Sequence, residues 1–282
     1  MGRRLVWRRA WKAALQVVNA AGLLTLVTIF AMPFVWMLST SLKTLPETMI
    51  FPPQWIPGNF VWQNYADAWN TGPFLNYFVN SVVIAVGILV LQMLTIIPAS
   101  YAFARYTFKG SGFLFGIVMV TLMIPAQLIF LPVYLELSTL KLLNTHLGLI
   151  LPFASSAFGI FLLRQAFMQI PEELLEAARL DQAAEWKIIL QIMVPMVKPV
   201  LVTFALFSFI AHWNDYFWPL VMTTNETART LPLGIAKIRE VEGVATWNVL
   251  MAGNLILVAP ILVVFFLSQR QIIKAFVYNG VK

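Results

Sequence analysis

The sequence predicts an all-α, polytopic membrane protein: a bundle of six transmembrane helices with both termini in the cytoplasm. Three observations carry that expectation. The 282 residues are 60% hydrophobic and 11% charged, with a mean hydropathy of +0.80, whereas soluble domains carry about 25% charged residues. The apolar runs are long and numerous, and only a spanning helix needs to be apolar all round for about 20 residues. Lysine and arginine collect in alternate connections, and basic segments are retained on the cytoplasmic side.

Six stretches qualify as spans: 13–42, 76–104, 113–135, 147–163, 200–220 and 247–267. Residues 1–12 precede them as a cytoplasmic N-terminus and residues 268–282 follow as a cytoplasmic tail. The opening MGRRLVWRRAWK has the basic character of a signal peptide. The apolar run behind it exceeds the roughly 7 to 15 residues of a cleavable core, so it is expected to stay as the first span. Pro33, Pro98, Pro125, Pro152 and Pro260 fall inside spans. Each is either a hinge or a packing irregularity that the bundle absorbs. Fourteen basic residues lie on one side: Arg3, Arg4, Arg8, Arg9 and Lys12, then Arg105 and Lys109, then Arg164, Arg179, Lys187 and Lys198, then Arg270, Lys274 and Lys282. Five lie on the other, namely Lys43, Lys141, Arg229, Lys237 and Arg239. An even number of spans agrees with both ends inside. In the outer segment 43–75, Trp62, Tyr65 and Trp69 recur at near-helical spacing, which suits either a helix at the lipid headgroups or an anchoring loop.

Composition also excludes function classes. The net charge of +7 sits at helix ends instead of on a soluble face, so no nucleic-acid partner is expected. There is no cysteine, which removes disulfides and thiolate chemistry, and His146 and His212 are too few for a histidine-rich metal site. No nucleophile elbow and no pair of acids within the spans points to an enzyme.

The segment 164–199 breaks the apolar pattern, with Glu176, Arg179, Asp181, Glu185 and Lys187 close together. Pro171 stands where a helix starts, Glu172 and Glu173 fall in its first turn, and LLEAARL continues it. A second helical stretch, AAEWKIILQIM, follows Asp181 and Gln182, and Pro195 and Pro199 punctuate its join to the next span. In the first helix Leu174, Ala177 and Ala178 are expected to share one face. That small apolar patch, rimmed by Glu176, Arg179 and Asp181, fits a groove on another protein; an ordinary solvated hairpin is the other reading.

The order Glu176, Ala177, Ala178, three residues, Gln182, nine residues, Ile192, Met193, Val194, Pro195 resembles the E-A-A, glycine, I-x-L-P signature of permease subunits of ABC importers. Gln182 replaces the glycine, which normally supplies a positive φ at the bend. FPPQWIP with Asn64 and Tyr65, Asn80 and Ser81, YAFARYTFKG, LPVYLEL, LGLILP, IPEELLEAARLD, WNDYFWPL, TLPLGIA and the tail QRQIIKAFVYNGVK are similar to the maltose-permease-like, carbohydrate-importing branch, with Ala275 where glycine is expected. The resemblance implies the type I ABC importer permease fold and a coupling helix docked on a cytosolic ABC ATPase dimer. Glu176, Ala177, Ala178, Arg179, Asp181 and Gln182 carry that docking by position. The chain has no phosphate loop of its own, so ATP and magnesium are expected on the partner ATPase and no cofactor on this chain. A second homologous permease, an extracytoplasmic sugar-binding protein, membrane lipid and a carbohydrate substrate complete the implied set, in a bacterial or archaeal cell membrane.

For the substrate path, Asp215 is the only acidic residue within the six stretches, and a charge near midplane costs about 2.5 to 3.5 kcal/mol. Asn214 and Asp215 beside Trp213 either line an outer vestibule or tie helices together, and Gln127 is a weaker candidate for the same path. Two alternatives stay open: a secondary transporter coupled to ions, and an importer permease for a non-sugar solute.

Overall fold

The structure, a computed structural model, describes residues 2–241 and 246–277, and every regular element among them is helical. In chain order these are α1 (Gly2–Ser41), α2 (Leu45–Thr48), α3 (Gln63–Asn70), α4 (Phe74–Arg105), α5 (Ser111–Thr121), α6 (Ala126–Thr139), α7 (His146–Ile150), α8 (Ala157–Met168), α9 (Glu172–Leu180), α10 (Glu185–Ile188), α11 (Val194–Met196), α12 (Lys198–Trp213), α13 (Phe217–Met222), α14 (Leu231–Val241) and α15 (Trp247–Val277). A 3-10 turn (Leu151–Phe153) extends α7, and a π-helical stretch (Ile189–Met193) joins α10 to α11.

Among the described residues, Ala14–Ser41, Phe74–Arg105 and Trp247–Lys274 are each long and apolar enough to cross a membrane alone. Three further segments reach that length only as bent pairs: Ser111–Thr121 with Ala126–Thr139 at 97°, His146–Phe153 with Ala157–Met168 at 45°, and Glu185–Met196 with Lys198–Trp213 at 82°. Breaks thus fall within the stretches 113–135 and 147–163, and the stretch 200–220 is interrupted between α12 and α13. Proline is the local cause in the first two. Pro125 has extended backbone (φ −61°, ψ 134°) and starts α6, because its ring disfavours a helical residue before it and it brings no N–H. Pro152 lies at the first turn of the 3-10 segment. In the third, α12 stops at Trp213, and the Asp215 carboxylate accepts the Trp218 backbone N–H at 3.3 Å as α13 begins, a new cap that lets the chain turn. The 82° bend lies at Val197 (φ −101°, ψ 15°), between Pro195 and Pro199.

The chain forms two compact units, residues 1–71 with 238–256 and residues 72–237 with 257–282. In the first, the most apolar 18-residue window of the α1 span has no residue buried by the rest of the chain, but the end of α1 is firmly held. Asn64, 3% exposed, donates to the Ser41 and Lys43 carbonyls at 2.8 Å each and accepts from Asn248 at 2.9 Å. Tyr65, on α3, shares a 2.8 Å hydrogen bond with Ser41 and stacks on Trp62 with centroids 6.1 Å apart. The aromatic segment thus includes a short helix whose Asn64 satisfies carbonyls that the end of α1 leaves open.

The second unit is built around α4, which packs against α8 and α12. Gly159 permits the close approach: a Cβ there would lie 2.6 Å from the Phe204 ring and 3.0 Å from Ile96, so a side chain at this position requires the Phe204 ring to move. Ile96, Leu163, Phe167, Leu175, Ile188, Met193 and Phe204 form one core. Ile84, Ile88, Leu149, Ile150, Trp218 and Met222 form a second. Next to that second core, α4 is pinned to the 223–237 segment by polar bonds. Asn80 donates to the carbonyls of Thr227 (3.1 Å) and Arg229 (2.9 Å) and accepts from His146 (2.7 Å), while Ser81 accepts the Leu231 N–H at 2.8 Å.

Candidate functional site

The polar hairpin is built from α9 and α10. Pro171, with extended backbone (φ −58°, ψ 137°), precedes α9, and Glu172 and Glu173 occupy its first turn, where carboxylates favour the positive helix end. The turn after α9 closes as a Schellman motif: the Gln182 N–H donates to the Arg179 carbonyl at 3.0 Å and the Ala183 N–H to the Ala178 carbonyl at 3.0 Å. That geometry requires the left-handed conformation at residue 182, and Gln182 adopts it with φ 58°. Glutamine therefore fills the backbone position that glycine holds in the resembling signature, at a cost of about 1 to 2 kcal/mol for a side-chain-bearing residue. Gln182→Gly is accordingly expected to raise stability by about 0.5 kcal/mol, since glycine's larger unfolded entropy offsets part of the relief. Thermal unfolding of the purified variant checks this, and a lower midpoint would contradict it.

The hairpin rests on one core face and exposes the other. Leu175 is fully buried and Ala178 is 9% exposed, both within the core that contains Ile188 and Ile189. Glu173, Leu174, Glu176, Ala177, Leu180, Asp181 and Gln182 are exposed. The expected shared face of Leu174, Ala177 and Ala178 is therefore divided. Ala177 belongs with Leu174 and Leu180 on the outside, and Ala178 is turned inward, where its smallness serves packing within the chain. Periodicity allows either grouping, and only the position of Ile188 and Ile189 decides which side faces in.

Charges fasten the hairpin to the spans. Arg105, the last residue of α4, has a side chain only 8% exposed. It donates to Glu172 at 2.6 Å and to the Phe167 and Ile170 carbonyls, joining the end of α4 to the end of α8 and the start of α9. Arg179 donates to Glu185 at 3.2 Å and reaches Glu172 at 3.5 Å. Partial burial works against the Arg179 charge, but the hydrogen bond to Glu185 and its carboxylate outweigh this and hold its pKa above the ordinary value. Tyr101, one turn before Arg105, donates to Glu185 at 2.6 Å. Arg164 donates to the Phe103 carbonyl at 3.1 Å and lies 4.3 Å over the Phe115 ring. These bonds tie α9 to the end of α4 and to α10. Of these residues, Arg105 and Arg164 enter the reading of the sequence only through membrane orientation, and no local sign marks their distant partners.

The expected path residues lie in different surroundings. Trp213 is 1% exposed, donates to the Leu257 carbonyl at 2.9 Å and packs on Phe209 and Phe78, so it is a core residue. Asn214 caps α12 through the Ile210 carbonyl at 3.0 Å. Asp215 caps α13 and borders a crevice of about 10 Å³ with Ile84, His212 and Trp218, room for about one water. Gln127 is exposed at the start of α6.

Comparison with known proteins places the chain. Residues 94–277 match the family described as binding-protein-dependent transport system inner membrane component. The arabinooligosaccharides transport system permease protein AraQ of Halalkalibacterium halodurans is 35% identical over 245 residues, covering 86% of each chain. The diacetylchitobiose uptake system permease protein NgcG of Streptomyces coelicolor is 31% identical over 262 residues, covering 90% of this chain and 85% of that one. The sn-glycerol-3-phosphate transport system permease protein UgpE of Yersinia pestis bv. Antiqua is 34% identical over 243 residues, covering 83% and 86%. A solved bacterial ABC transporter involved in the import of the acidic polysaccharide alginate shares the fold, with a TM-score of 0.78 at 24% identity over 92% of this chain and 96% of that one. With an all-helical membrane fold and a braced polar hairpin between its spans, the chain belongs to the binding-protein-dependent transport system inner membrane components, the permease subunits of ABC importers.

Proposed function

We propose that this chain pairs with a second, related permease to form the path for a sugar or oligosaccharide delivered by an external binding protein, with a cytosolic ATPase dimer docked on α9. The first two bent pairs and the α12–α13 stretch each count as one span in this reading, giving six spans in the cell membrane with both termini in the cytoplasm, and ATP and magnesium belong to the ATPase. The observation that carries it is the construction of α9: an exposed strip of Leu174, Ala177 and Leu180 whose opposite side is braced to α4 and α10 by Arg105, Glu172, Arg179 and Glu185. A helix that only dissolved in water would not need such a backing; one that receives force does. The carbohydrate cargo is supported by the relatives named for arabinooligosaccharides and diacetylchitobiose. The relative named for glycerol-3-phosphate makes a phosphoester the competing cargo.

The test has two arms. Single cysteines, free of background because the chain has none, are expected to react with an impermeant thiol reagent from outside at Asn225→Cys and only from inside at Gln182→Cys. Vesicles containing the two permeases and the ATPase are expected to take up arabinooligosaccharide or diacetylchitobiose only with ATP and binding protein. Reversed labelling overturns the topology, and uphill uptake by this chain alone overturns the coupling.

A further inference from the structure

Two interrupted spans and the middle of a third meet at Gln92. The gap between the 3-10 turn and α8 leaves the Phe153 and Ala154 carbonyls outside a regular ladder. Residues of α4 take both, Gln92 Nε2 donating to Phe153 at 3.1 Å and Thr95 Oγ1 to Ala154 at 2.9 Å. Ser156 caps α8 by accepting the Gly159 N–H at 3.1 Å. From α12, just before it stops, Ser208 donates to Gln92 Oε1 at 2.5 Å and His212 stands 3.5 Å from Gln92 Nε2. Beside these groups is a cavity of about 220 Å³, lined by Gln92, Ser156, Ser208 and His212 together with Phe158 and Phe207.

The arrangement has a direction. Gln92 and Ser208 are 4% and 7% exposed at the back, whereas Phe158 and Phe207 are 42% and 49% exposed at the mouth. Irregular backbone and polar side chains at membrane depth persist only when buried in protein or facing a water-filled path. Among the described residues the groups are not fully used: the Ser156 hydroxyl proton, a Ser208 lone pair and the second ring nitrogen of His212 remain for a ligand. A few convergent polar groups among aromatic walls are the composition of a small-molecule site. Hydroxyls would meet the amide, serines and imidazole while a ring's C–H face lies on phenylalanine. None of the lining residues is Asp, Glu, Lys or Arg, so an anionic group would be desolvated there without a partner. Water takes about 30 Å³ in the liquid, so the volume admits one sugar ring in place of several waters.

We propose that this cavity, and not the Trp213 to Asp215 turn, is where this chain contacts the cargo in transit, and that it accepts one ring of a neutral sugar and rejects carboxylated or phosphorylated ones. This rests on the carbohydrate reading above. The complete importer in vesicles is assayed with arabinobiose and cellobiose as neutral probes and digalacturonate as the anionic probe, reading sugar imported per ATP hydrolysed. The unmodified importer is expected to import a neutral probe and not digalacturonate. Ala211→Phe puts a ring into the cavity from an exposed lining position and is expected to lower the ratio about tenfold, whereas Phe207→Leu, which removes the stacking face, lowers it about threefold. An unchanged ratio in Ala211→Phe overturns the site. Where that variant fails to assemble, Phe207→Leu decides in the same way. Import of digalacturonate by the unmodified importer overturns the neutral specificity. Failure of the unmodified importer with both neutral probes and with diacetylchitobiose instead sinks the carbohydrate reading, a result distinguishable because it precedes any substitution.

Discussion

Arg105→Ala is expected to detach the polar hairpin from the spans, lowering stability by about 3 kcal/mol and reducing ATP-driven transport. The guanidinium holds three groups together: Glu172 at 2.6 Å, and the Phe167 and Ile170 carbonyls. Its side chain is almost buried, while Glu172 is about half exposed. Water can therefore take over the carboxylate in the variant, but it reaches the carbonyls at the end of α8 poorly, and they carry most of the penalty. Arg105→Lys keeps the charge yet offers one ammonium in place of a planar fork, so only partial recovery is expected. Thermal unfolding of the purified protein and transport in vesicles measure the two effects. An Arg105→Ala protein that melts and transports like the parent would show that α9 does not act through the end of α4.

Ala177→Asp is expected to abolish transport and ATPase stimulation, to below about a tenth of the parent level as for an interface hot spot, while the protein inserts and folds normally. Ala177 is exposed between Leu174 and Leu180, so a carboxylate there meets water in the isolated chain and costs within about 0.5 kcal/mol. The same charge is buried without a partner when the strip is covered by another protein. Ala178→Asp separates the two mechanisms, because residue 178 faces the core. There the carboxylate is forced among Leu175, Ile188 and Ile189 and lowers the melting point even of the isolated chain. Equal loss of folding in both variants, or normal transport in Ala177→Asp, would refute docking on this strip.

The hairpin shows how local information succeeds and where it ends. Proline at 171, glutamates in the following turn and a run of helix formers are sufficient to start α9, because each acts on backbone within one turn. The departure from glycine at residue 182 also marked the place where a positive φ occurs, since the Schellman geometry demands it whatever the side chain. Gln92 is the opposite case. In the sequence it is one amide in an apolar helix, and its significance comes from Ser208, 116 residues away, and from a gap in another span.

By itself the sequence determined the solvent of this protein, its helical class, the apolar stretches from which its long helices form and the hairpin between them, because apolar length, proline and capping act within a turn or two of the chain. The tertiary structure alone decided that Ala178 faces inward, that the 200–220 stretch stops at Trp213 and restarts at Phe217, that Arg105 reaches Glu172 across 67 residues, and that polar groups from three elements share one cavity. Packing selects among faces that are equivalent in periodicity, and long-range hydrogen bonds satisfy backbone groups whose release no window of hydropathy records.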